Sequence, residues 1–123
     1  MRKISNISEL FGQTFSKVYV VDSDAFHDDQ LIFEKSNGDK YAFYHEQECC
    51  ESVLLKEIVG ELSDLENSPI LIAYENFSSE DNDNGSLLWT FYKFATQKGY
   101  VDVSWYGESN GHYSESVNMY RYF

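Results

Sequence analysis

Three groups of residues carry side chains that could do chemistry. Gly107-Glu108-Ser109-Asn110-Gly111 has the G-x-S-x-G spacing of a serine-hydrolase nucleophile elbow. That elbow works on a strand-to-helix turn, with an acid and then a histidine further along the chain. Only 12 residues follow Gly111, they read as a strand, and His112 is too close to reach back as an independent base. No catalytic residue is assigned, and the chain is not expected to be an enzyme. The second group is Tyr44-His45-Glu46-Gln47-Glu48-Cys49-Cys50-Glu51. A metal needs ligands that converge, commonly with C-x₂-C spacing, and adjacent cysteines suit this badly. His45 and Glu48 with one cysteine is the arrangement left, and neither metal nor cofactor is expected. Cys49 and Cys50 read as small buried thiols at a helix start, since a bond between neighbours would strain the backbone. His45 and Glu46 then end a strand, or join Glu108, Ser109 and Asn110 in a polar, aromatic-lined pocket for a nucleotide-like ligand.

The third group is a gap in positive charge. Between Lys56 and Lys93 there is no lysine or arginine, yet Glu57, Glu61, Asp64, Glu66, Glu75, Glu80, Asp81 and Asp83 all fall there. Carboxylates spaced along a helix face and the following loop could imitate phosphates toward a basic groove. The plainer reading is a solvated helix face and an acidic loop. The candidate partner-binding set is Glu57, Glu61, Asp64, Glu66, Asp81 and Asp83. Over the whole chain, 21 acidic residues oppose nine basic ones, a net charge of −12. Such a surface repels nucleic-acid backbones and anionic membranes and attracts basic partners.

The elements that must position these groups fit one domain, residues 1–123. Ten tyrosines and nine phenylalanines favour sheet over helix, because aromatic rings suit a pleated, half-buried surface. Asn6-Ile7-Ser8-Glu9 has capping-box spacing and predicts a short N-terminal helix ending at Gly12. FSKVYVVD from Phe15 predicts a strand, followed by an acidic loop with Asp22, Asp24, Asp28 and Asp29. Asn37-Gly38 between LIFEK and KYAFY predicts a hairpin with Leu31, Phe33, Tyr41 and Phe43 on one face. Across residues 51–66, Leu54, Leu55, Ile58, Val59, Leu62 and Leu65 recur at spacings of three and four. This predicts the main amphipathic helix, weakened by Gly60, with a short strand at Ser52–Leu55 before a shorter helix as the competing reading. ILIAYENF, LLWTFYKFAT, YVDVSWY and VNMYRYF read as strands. LLWTFYKFAT is apolar on both faces and is placed centrally. WYGESNGHYSESV, from Trp105 to Val117, reads as strand, exposed turn, strand. The expected fold is α+β: a single antiparallel sheet of about six to seven strands with one main helix packed on a face.

YHEQECCESV at residues 44–53 and WYGESNGHYSESV at 105–117, with SPIL at 68–71 and WTFYKFATQKGYV at 89–101, resemble a family of small phage and prophage proteins. Its blocks read YHEQ-x-CCESV and WYGESNGYYSE-x-V, and His112 stands here where the family usually has tyrosine. The family has no established activity, so the resemblance implies a viral or prophage origin in a bacterial cytoplasm rather than a mechanism. The absence of an apolar stretch after Met1-Arg2-Lys3 and the expectation of reduced cysteines point to the same compartment. The leading expectation is a non-enzymatic inhibitor whose acidic surface docks on the basic nucleic-acid-binding groove of a host defence nuclease, a Cas effector or a restriction enzyme. The alternative is a binder of a nucleotide-like signal in a pocket made by His45, Glu46, Glu108, Ser109 and Asn110.

Overall fold

The computed structural model describes residues 1–21 and 29–123, so Asp22, Asp24 and Asp28 of the expected acidic loop lie outside the described residues. Among those described, nine strands form two antiparallel sheets. They are β1 (Arg2–Ile4), β2 (Lys17–Val21), β3 (Gln30–Glu34), β4 (Lys40–Tyr44), β5 (Ser52–Val59), β6 (Ile72–Asn82), β7 (Gly85–Thr96), β8 (Gly99–Ser109) and β9 (Asn118–Tyr122). One sheet has the order β1-β9-β4-β3-β2 and the other β5-β8-β7-β6. The expected α+β fold with a main helix on a single sheet is therefore corrected to a two-sheet β structure. Its helical content among the described residues is two four-residue 3-10 turns, at Ile7–Leu10 and Leu62–Leu65.

The physical reason for the missing helix lies in β5. Its ladder with β8 runs in register from Ser52↔Glu108 to Leu55↔Trp105, slips, and resumes at Glu57↔Ser104. Lys56 is the extra residue of this β-bulge. Val53 and Leu55 point to the core before the bulge, and Ile58 after it. The bulge turns an alternation of two into one step of three, which mimics helical periodicity. The strand then ends at Gly60, whose φ of +107° and close approach to the Tyr100 carbonyl no side chain would tolerate.

Some local patterns fold as read, whereas the acidic stretch through Glu80 and Asp81, expected as a loop, is the end of β6. The Asn37-Gly38 hairpin joins β3 to β4, and Leu31, Phe33, Tyr41 and Phe43 all lie on its buried face. Asn6 caps the first 3-10 turn through Oδ1, 2.9 Å from the Ser8 N–H. Phe15, expected in β2, instead bridges to Glu66 just ahead of the strand and is fully buried. Between the sheets, Phe33 meets Phe94 at 4.9 Å and Phe43 meets Tyr92 at 5.1 Å between ring centroids. Trp105, Val101 and Val103 of β8 complete this core. Truncating one of these rings to alanine costs about 3–5 kcal/mol.

Candidate functional site

The ladder register Ser52↔Glu108 and Val53↔Gly107 brings the HEQECCE block beside the GESN turn at one end of the four-stranded sheet. The chain between them, residues 113–117, packs so tightly on Gly107 that a Cβ there would lie 2.6 Å from Glu115 Cβ. His45 is buried, with Nδ1 2.6 Å from the Ser116 carbonyl and Nε2 2.8 Å from Glu51 Oε2. A carbonyl and a carboxylate can only accept, so each ring nitrogen of His45 faces an acceptor. Glu51 also accepts from the backbone N–H groups of Glu48 and Cys49, each at 2.9 Å. Burial alone would raise its pKa, but the hydrogen bonds from His45 and these backbone groups outweigh it and bring the carboxyl down to about 2.

The neighbouring turn is similarly self-contained. Glu115 accepts from the hydroxyls of Ser86 and Ser109, the latter at 2.8 Å, and Asn110 Oδ1 caps the His112 N–H at 3.0 Å. Ser109 Oγ meets Ser86, Glu115 and the Gly111 N–H, and among the described residues no imidazole. Glu46 accepts from the Tyr120 hydroxyl, which burial first and this carboxylate second push up to about 12. Of the five residues expected to line a ligand pocket, His45 is buried and fully engaged, and only Glu108 and Ser109 line the groove at this end. The two blocks do meet, but as an internal network that fixes loops. Cys49 and Cys50, expected as buried thiols at a helix start, are exposed in a loop and joined to each other in a disulfide. Among the described residues no group of three or more His, Cys, Asp or Glu is placed to hold a metal.

The acidic set is divided. Asp64 lies against Gly99, and the Glu66 carbonyl accepts from Lys98, so Glu61, Asp64 and Glu66 sit by the β7–β8 turn. Glu66 is also occupied inside the fold, its carboxylate 2.8 Å from the Val18 N–H. Asp81 and Asp83 lie at the β6–β7 hairpin, the other end of β7, roughly 35 Å away at the usual rise per strand residue. Only Glu57 stands mid-sheet, opposite Ser104 on the face turned away from the core.

That outer face is the feature the sequence reading missed. Trp89 and Phe91 stack at 5.9 Å with an interplanar angle of 4°, and Trp89 meets Tyr106 at 4.7 Å. Tyr74, Ile72, Val59 and Leu54 lie on the same face, and with Phe91 they are 39–57% exposed. Glu108 holds the exposed Tyr106 hydroxyl and raises its pKa. The signal was present in β7, whose two apolar faces mark it in the sequence only as a central strand. The helix that would have covered the outer one does not exist.

Residues 2–119 match a domain of unknown function, DUF7448. The chain belongs to the DUF7448 family. The match runs from β1 to β9 and so takes in both sheets, the internal network and the aromatic face of the DUF7448 chain. Neither a curated protein nor a solved structure matches it.

Proposed function

We propose that this DUF7448 chain is a non-catalytic binding module that docks on a basic protein through the outer face of its four-stranded sheet. The observation that carries this reading is the outward-facing cluster of exposed Phe91 with half-buried Trp89 and Tyr106, with carboxylates Glu57, Asp102 and Glu108 on the same face. Large aromatic side chains supply contact area at a protein interface, and acidic groups at the rim select a basic counterpart. The chain's charge of −12 favours the same partner and disfavours nucleic acid itself. The resemblance to phage and prophage proteins supports a concrete version. In it, the partner is the basic nucleic-acid-binding surface of a bacterial defence nuclease, a Cas effector or restriction enzyme, and docking inhibits it.

The test is capture of host proteins on the immobilised chain, repeated with Phe91→Ser, a surface substitution that leaves the core untouched. The expected result is near-stoichiometric retention of a basic nuclease, its release by competing nucleic acid, and its loss on Phe91→Ser at unchanged melting temperature. Retention indifferent to Phe91→Ser, or no nucleic-acid-binding protein retained, would overturn the proposal.

A further inference from the structure

The outer face holds a slot whose chemistry names what enters it. The ladders place Glu57, Ser104, Phe91 and Asn76 in one row across β5, β8, β7 and β6. The next row in the same direction is Val59, Asp102, Lys93 and Tyr74. Neighbouring strands lie about 4.8 Å apart, so Glu57 and Phe91 stand about 10 Å apart with only the small Ser104 between them. A groove of about 280 Å³ results, floored by Ser104 and walled by the Glu57 carboxylate on one side and Phe91 and Tyr74 on the other.

The charges within it are unequal. Lys93 is already engaged, its Nζ 3.8 Å from Asp102 and 5.0 Å above the Tyr100 ring. Glu57 has no ion pair or hydrogen bond among the described residues. Among the described residues the slot thus offers one carboxylate without a partner, a hydroxyl floor, an amide from Asn76 and an aromatic wall. A phosphate-bearing ligand would meet Glu57 and the acidic field of the whole chain. A neutral aromatic ligand would leave Glu57 unpaired beneath it.

We propose that this slot is the anchor site for an arginine side chain presented by the protein partner. The planar guanidinium stacks on Phe91, donates its fork to Glu57, and gives a further N–H to the Ser104 hydroxyl. Lysine is the poorer fit, because an ammonium neither stacks as a plane nor pairs bidentately. The proposal rests on the docking reading above and adds to it which group of the partner supplies the anchor.

The slot can be tested without the partner, by titrating the isotope-labelled protein with N-acetyl-argininamide and, separately, N-acetyl-lysinamide. The expected result is saturable shifts of the Glu57, Phe91 and Ser104 amides with the arginine probe, and affinity weaker by about tenfold for the lysine probe and on Glu57→Gln. A second measurement uses Ser104→Val, which fills the floor and should abolish the arginine shifts while leaving the melting temperature close to wild type. Absent shifts, shifts scattered over the other carboxylates, equal response to lysine, or indifference to Glu57→Gln would each overturn the slot. If the nuclease is lost on Phe91→Ser but retained undiminished on Glu57→Gln, the docking face stands and the arginine anchor falls. If the probe binds as expected while no basic protein is retained, the slot stands and the docking reading fails.

Discussion

At the scale of single residues, the Glu51 carboxylate has no exposed surface, yet it remains ionised because every donor around it was placed by a short loop. His45 supplies a side-chain hydrogen bond, and the N–H groups of Glu48 and Cys49 supply two fixed dipoles. Removing one partner of such a pair leaves the other uncompensated, so His45→Ala should cost about 3–5 kcal/mol, and Glu51→Gln less. The pH dependence has a definite sign. The folded-state pKa lies near 2 against 4.5 for the free side chain, so Glu51 contributes stability above pH 4.5 that is lost as pH falls toward 2. Urea unfolding of wild type and Glu51→Gln across this range should show the gap between them closing as acid is added. Parallel curves would show that the ionised Glu51 carboxylate does not contribute. The sequence made the polar block visible as a unit, since His45 and Glu51 are six residues apart. It could not show that the imidazole's other partner is a carbonyl 71 residues away, a contact that only the path of residues 113–117 creates.

At the scale of elements, what could be read was whatever a local rule determines. The Asn-Gly hairpin and the shared face of Leu31, Phe33, Tyr41 and Phe43 follow from turn chemistry and strict alternation. The second sheet could not be read, because a single bulged residue shifted the alternation of β5 into a helical pattern. Lys56 also has a protective role. β5 and β6 are the two edges of the four-stranded sheet, and an irregular edge carrying a lysine resists pairing with other chains. The Leu55 N–H on the same edge is taken by Asp29 Oδ2 at 3.0 Å. Deleting Lys56 keeps Val53, Leu55 and Ile58 on the core side while making the edge regular. The variant should fold with an unchanged circular-dichroism spectrum and self-associate more strongly in sedimentation velocity. A variant that unfolds would show instead that the bulge is needed to seat Gly60 against Tyr100.

At the scale of the molecule, the distribution of charge separates capture from retention. The expected docking set is divided between the two ends of β7, with Glu57 alone between them on β5, so its carboxylates do not form one continuous row. It can still act through its field. Fixed charges distant from the contact raise the rate of encounter with a basic partner, whereas buried anchors govern how long the complex lasts. Lysine substitutions at Glu61 and Asp64, or at Asp81 and Asp83, should therefore slow association, with little change in dissociation. Phe91→Ser should do the reverse. Because such steering is screened within about 8 Å at physiological salt, the difference between wild type and either charge-reversed pair should vanish at high ionic strength. The Phe91→Ser defect should persist there. Surface-binding kinetics at low and high salt would resolve both effects. If charge reversal at the hairpin end speeds dissociation as strongly as the loss of Phe91 does, the acids at that end touch the partner, and the aromatic face is not the centre of the contact.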